Sequence, residues 1–168
     1  VFPSLLSGVE TVDESLKDKD LATFLDCCLR RYILPTLENQ AEAEAFAKAV
    51  LERFANPYIH HRWQSIVLNS ISKYTARVLP TLLDTVAGGG PVPRALAFSL
   101  SCLIEYYKTR PVTDDPKQTA FIKENPLPAI LANAELWGTD LSFLTDTVTI
   151  CTEKLHQSGV REAMRWSM

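Results

Sequence analysis

The chain has 168 residues, 46% of them hydrophobic, and a formal net charge of -3 from 17 basic and 20 acidic side chains. That length suits one domain burying roughly 70% of the surface its unfolded chain exposes, and the composition excludes wholesale disorder. The slight acidity, with no basic stripe carrying interleaved aromatics, gives no reason to expect nucleic acid binding.

No apolar run approaches the ~20 residues that cross a bilayer, so no membrane span is expected. The opening VFPSLLSGVETVDESL lacks the basic start and apolar centre of a secretion signal. Cys27, Cys28, Cys102 and Cys151 form no C-x-x-C pair, which reads as reduced core thiols in a cytoplasmic protein.

Helix dominates the pattern, and the expected fold class is all-α. Thr11 or Asp13 is placed to cap a short first helix. A stronger one starts at Asp20, with Leu21, Phe24, Leu25, Cys28, Leu29 and Ile33 forming a core-facing stripe and Pro35 near its end. Gln40 to Phe54 is rich in the helix formers Ala and Glu. Asn56 before Pro57 reads as an N-cap followed by proline at the first helical position. The helix so opened buries Ile59, Trp63, Ile66, Val67, Ser70 and Tyr74 and ends or kinks before Pro80. AGGGPVP is a loop. Arg94 to Lys108 is a further buried helix, and Pro116 to Lys123 a short one entered through Asp114 or Asp115. ENPLP breaks the chain again, and a helical stretch leads to a turn at Gly138 and a restart near Thr139 or Asp140. A last long helix, about Leu141 to Gln157, stops at Gly159, with a short terminal helix from Val160 to Met168.

Most catalytic signatures are missing. His60 and His61 are neighbours and point about 100° apart on a helix, and His156 is remote, so no metal site is expected. AGGG lacks the Lys and Ser/Thr of a phosphate loop, and no G-x-G-x-x-G occurs, so this chain has no dinucleotide fold of its own. What stands out is a row on the helix before Pro80: His61, Ser65, Asn69, Lys73 and Arg77, one residue in every four. The full row rises about 24 Å, too long for one small ligand, whereas Asn69 to Arg77 spans about 12 Å. Lys offers a mobile ammonium and Arg a planar fork suited to a carboxylate. A solvated helix face accounts for the same pattern. Arg53 and Asn56, in RFANP, are either helix-end residues or the rim of a site.

ERFANPYIHHRWQSIVLNSISKYTARVLPTLLD resembles the C-terminal domain of the polyol-specific long-chain dehydrogenases, the mannitol dehydrogenase family, and within it the tagaturonate reductase branch. Those proteins carry R-F-x-N-P-[YF]-I-x-H, then L-N-S-x-S-K and R-[IV]-L-P. SGVETVDESLKD, YILPTLE, PRALAFSLSCLIEYYK, PVTDDPKQTAFIKE and LANAELWGTDL fit in the same order.

The resemblance implies that residues 1–168 form a helical substrate domain of a two-domain enzyme, partnered by an N-terminal Rossmann domain that binds NAD. It implies a sugar-acid substrate, interconversion of D-tagaturonate and D-altronate, and no metal. The family's catalytic lysine lies in K-x-x-x-x-N-x-x-H, just upstream of the equivalent of VFPSLLSGVETV, so no catalytic residue is expected here. Lys73 falls where the mannitol enzymes carry an arginine that contacts substrate hydroxyls. Lys73 and Arg77 are therefore expected at a substrate carboxylate, with Asn69, His61, His60, Arg53 and Asn56 as further substrate-side candidates. An exposed apolar surface is expected around Lys73, where the other domain docks. A fructuronate or mannitol-type reductase, or a free-standing helical interaction domain, are the alternatives.

Overall fold

The computed structural model describes residues 1–56 and 58–168, and these build an all-α domain. A first helical turn, α1 (Phe2–Leu6), precedes α2 (Val12–Lys17). Thr11 caps α2 through a reciprocal box: its hydroxyl accepts from the Glu14 N–H while the Glu14 carboxylate accepts from the Thr11 N–H. The next helix, α3 (Lys19–Cys28), starts slightly earlier than Asp20, because Asp18 caps it by accepting from the Asp20 and Leu21 N–H groups, each at 3.1 Å. It runs on as a wide π-type turn, Leu29–Ile33, and a tight turn at Leu34–Thr36 that contains Pro35.

Asn39 then caps α4 (Gln40–Phe54), which has the bounds its composition indicates. None of its side chains is fully buried; Ala43, Ala47, Val50, Leu51 and Phe54 line one half-covered face.

The single helix expected from Pro57 onward is not one helix. Its proposed first position, Pro57, lies outside the described residues. Asn56 Oδ1 accepts from the Tyr58 N–H at 3.0 Å, a side-chain turn rather than a helix cap, and Ile59 is 46% exposed. Regular helix comes in three pieces, α5 (Trp63–Ile66), α6 (Ser70–Arg77) and α7 (Leu79–Ala87). The first break has a local chemical cause. Asn69 sits in the left-handed region at φ 57°, which asparagine tolerates better than most residues. The Ser70 hydroxyl takes the Val67 carbonyl, and the Lys73 ammonium takes the Ile66 carbonyl at 2.8 Å. Both acceptors are thereby turned away from a continuous helix. The second break, at Val78, comes where expected: Pro80 has no N–H to continue α6 but sits at no cost in the first turn of α7.

The core is organised on α8 (Arg94–Thr109), whose inner face runs from Ala95 to Tyr107 and includes Phe98, Leu100, Cys102 and Leu103, all fully buried. Along it packs α12 (Thr145–Ser167), through Val148, Cys151, Leu155, Ala163 and Met164. On the other side Phe24 meets Phe98 edge-on at 5.8 Å and Phe2 meets Tyr106 at 5.5 Å. Then α9 (Pro116–Glu124), α10 (Leu127–Ala132) and α11 (Ala134–Trp137) close one end, with Asp115 capping α9. A tight turn at Ser142–Leu144 leads into α12, which Gly159 interrupts at φ 78° and ψ 169°. That conformation is essentially reserved for glycine. The four cysteines are all free thiols, and burial pushes those of Cys28 and Cys151 up to about 12. No helix among the described residues is long and apolar enough to cross a membrane.

Beyond Gly159 the last turns of α12 return to the start of α3. Arg161 Nη1 reaches Asp18 at 2.7 Å and Arg165 Nη1 reaches Asp20 at 2.7 Å. Burial pushes the Asp18 carboxyl up, but the Leu21 N–H, the Arg161 guanidinium and the Asp20 N–H outweigh it and hold the carboxyl below its ordinary range. A carboxyl lowered in the folded state stabilises the fold above its unfolded pKa and loses that contribution as pH falls through the folded value. Asp18→Ala is therefore expected to cost about 1–2 kcal/mol at pH 6, with the gap to the parent protein closing below about pH 4. Urea unfolding of both proteins across that range is the measurement. A gap constant with pH would show that the Asp18 charge contributes nothing.

Candidate substrate-binding face

Beside α6 lies a cavity of about 290 Å³. Its walls are mostly apolar: Phe2 from α1, Leu21, Phe24 and Leu25 from α3, Trp63 and Ile66 from α5. Lys73 and Arg77 line it from α6, one turn apart on the same face. The Trp63 indole N–H donates to Ser15 Oγ at 2.8 Å, which fixes that wall against α2. The loop entering α5 is tied there as well. The Val12 N–H donates to the His61 carbonyl at 3.0 Å and the Trp63 N–H to the Glu10 carbonyl at 2.9 Å, a single antiparallel bridge between Thr11 and Arg62.

Lys73 is half-buried, and its bond to the Ile66 carbonyl occupies one of three ammonium hydrogens. Arg77 is exposed, and among the described residues no carboxylate pairs with it. Two cations therefore sit side by side at an apolar recess, with donors to spare. Low-polarity walls strengthen any charge pairing made there. Leu25 is 40% exposed at the cavity and Leu68 is 44% exposed just before α6, so the surface around Lys73 is not uniformly polar.

The structure does not bring the whole row together. Asn69 opens α6, but its side chain makes no capping bond and does not line the cavity. His61 lies before α5, its ring edge-on to Phe54 at 5.1 Å, with a buried Nε2 that has no partner among the described residues. His60 is exposed in the same loop. Arg53 stacks over the Phe54 ring at 5.3 Å, and Asn56 is engaged with the Tyr58 N–H. None of these four lines the cavity: His61 and Arg53 meet around Phe54, and His61 precedes the start of α5, so the four-residue phase that placed it in a row with Lys73 does not hold.

Sequence reasoning missed one residue that shapes this face. Asp114 was grouped with Asp115 as an alternative cap for α9. Asp115 does that work, accepting from the Lys117 and Gln118 N–H groups. Asp114 instead reaches back to α6 and accepts from the Asn69 N–H at 2.8 Å and the Ser70 N–H at 3.2 Å. The available signal was the pair itself, two adjacent aspartates where one suffices for a helix start.

The glycines of AGGG close α7 instead of opening a helix, and a Cβ on Gly90 would stand 2.9 Å from the Thr85 carbonyl oxygen, so local packing explains that glycine. Among the described residues no group of three or more His, Cys, Asp or Glu side chains gathers to hold a metal ion.

Residues 1–158 match the model of the mannitol dehydrogenase C-terminal domain. An altronate oxidoreductase from Halalkalibacterium halodurans is 34% identical over 96% of this chain and 38% of its own length. One from Bacillus subtilis is 34% identical over 96% of this chain and 36% of its own. The chain thus spans little more than a third of these relatives. The fold aligns with Pseudomonas fluorescens mannitol 2-dehydrogenase, solved with NAD and D-mannitol, at TM-score 0.84 and 18% identity, covering 98% of this chain and 37% of that one. A substrate-free D-sorbitol dehydrogenase aligns at TM-score 0.81 and 20% identity, covering 97% and 37%. With a match over nearly its whole length, this chain belongs to the mannitol dehydrogenase family and carries that family's C-terminal domain.

Proposed function

We propose that the chain is the substrate-side domain of a two-domain, NAD-dependent oxidoreductase that interconverts D-tagaturonate and D-altronate. The observation that carries this reading is the pair of cations, Lys73 and Arg77, on one face of α6 at a mostly apolar cavity. A uronate presents a carboxylate and a carbonyl a few bonds apart. Lys73 and Arg77 hold the first, and the apolar walls exclude water around the rest. The altronate oxidoreductases at 31–34% identity support the substrate class. The nicotinamide supplies redox chemistry from the N-terminal domain, which the relatives' greater length supports as a partner in the same chain. The apolar surface near Lys73 suits a face that meets such a domain.

The test is NADH oxidation by the full-length protein with tagaturonate, fructuronate and fructose offered in parallel. A clear preference for tagaturonate is expected. Preference for another ketose would keep the fold and overturn the substrate. No turnover from a folded, cofactor-binding protein would favour a helical interaction domain.

A further inference from the structure

We propose that Asp114 is a positioning residue for Lys73 and Arg77. This inference rests on the substrate face described above and concerns how that face is held. The helix α6 starts abruptly from a left-handed residue, Asn69, whose own side chain supplies no cap. Its first N–H groups would otherwise be left without intrahelical partners. Asp114, 45 residues beyond Asn69 in sequence, accepts from both the Asn69 and the Ser70 N–H. A carboxylate there also meets the positive end of the helix.

The carboxylate is itself anchored. The phenol of Tyr107 donates to Asp114 Oδ2, and Tyr107 is fully buried on α8, the central helix of the core. Burial, and then the neighbouring Asp114 carboxylate, raise the phenol above its ordinary pKa, so it stays a donor. A rigid path therefore runs from α8 through Tyr107 and Asp114 to the first residues of α6. Lys73 lies one turn further, its N–H bonded to the Asn69 carbonyl at 3.1 Å, and Arg77 lies one turn beyond that. Asp114 does not line the cavity. It sets where α6 starts, and hence where the two cations stand relative to Ile66, Trp63 and Phe2. Asp115, adjacent in sequence, serves only α9, so the capping of α9 does not account for Asp114.

The experiment is a double-mutant cycle on the full-length protein with tagaturonate: parent, Asp114→Asn, Lys73→Ala and the pair. Asparagine keeps the size of the side chain but withdraws the charge and one acceptor. Asp114→Asn is expected to raise KM about ten-fold with kcat changed less than about three-fold, the loss of roughly one hydrogen bond to a charged group. In the Lys73→Ala background the same substitution is expected to raise KM by a clearly smaller factor, because only Arg77 of the two cations it positions remains. Tyr107→Phe, which removes only the hydroxyl, is expected to raise KM in the same direction by a smaller factor. Equal effects of Asp114→Asn in both backgrounds, or a lowered melting temperature with unchanged KM, would reduce Asp114 to a structural cap and overturn the proposal alone. An unchanged KM in Lys73→Ala itself would overturn the substrate face and the positioning role together.

Discussion

Replacing Lys73 with alanine in the full-length protein is expected to cut kcat/KM for tagaturonate about 100-fold, from loss of one charge-assisted contact worth about 2–3 kcal/mol. Lys73 is half-buried at a mostly apolar recess and keeps two ammonium hydrogens beyond the one given to the Ile66 carbonyl. Most of the loss is expected in KM, because a carboxylate remote from the reacting carbonyl is held in ground state and transition state alike. Stability should change little. The fold loses the bond to Ile66 O, about 1 kcal/mol, which lowers the melting temperature by only a few degrees. Lys73→Arg should recover part of the activity, since the charge remains but the reach and hydration differ. A neutral ketose, if turned over at all, should be far less sensitive to the substitution. Steady-state kinetics on the three proteins decide the matter, and an unchanged kcat/KM in Lys73→Ala would remove Lys73 from the site.

The parts of this fold that were legible in sequence are those decided locally. Gln40–Phe54 carries its own cap in Asn39 and its own propensity in Ala and Glu, and it forms with those bounds. Arg94–Thr109 buries an almost continuous apolar run, and Gly159 stops a helix where the spacing indicated. The α5–α6 junction was not legible because part of its cause is remote. The apolar spacing from Trp63 to Tyr74 stays in helical phase across the break, so periodicity cannot distinguish one helix from two. What opens the chain there includes a carboxylate 45 residues away. The site divides in the same manner. Lys73 and Arg77 keep the spacing read from sequence because both lie within one unbroken helix. His61 was placed in their row by a phase that does not hold, because it precedes the start of α5. The cavity itself joins α1, α3, α5 and α6, and no sequence pattern announces that meeting.

Trp137→Ala is expected to cost about 4 kcal/mol of folding stability, within the 3–5 kcal/mol found when large buried aromatics are truncated. The side chain is fully buried, and its indole N–H donates to the Ile130 carbonyl at 2.8 Å. Its ring stands edge-on to Tyr74 at 6.2 Å. The helix it ends, α11, has only four residues and is closed by Gly138 at φ 77°. So short a helix holds no structure of its own, and Trp137 is what attaches it both to α10 and to the buried side of α6. Alanine removes the packing and takes from the Ile130 carbonyl the shorter of its two hydrogen bonds, leaving only the Asn133 N–H at 3.3 Å. Domains hold only about 5–15 kcal/mol in total, so the loss takes a large share. Trp137→Phe separates the two contributions: it should keep most of the packing and lose the hydrogen bond, at about 1–2 kcal/mol. Urea unfolding followed by far-ultraviolet circular dichroism measures both. A loss below about 1 kcal/mol in Trp137→Ala would mean that α10 and α11 re-pack without their anchor. The hold on α6 would then come from its N-terminal end, through Asp114, with no contribution from beneath Tyr74.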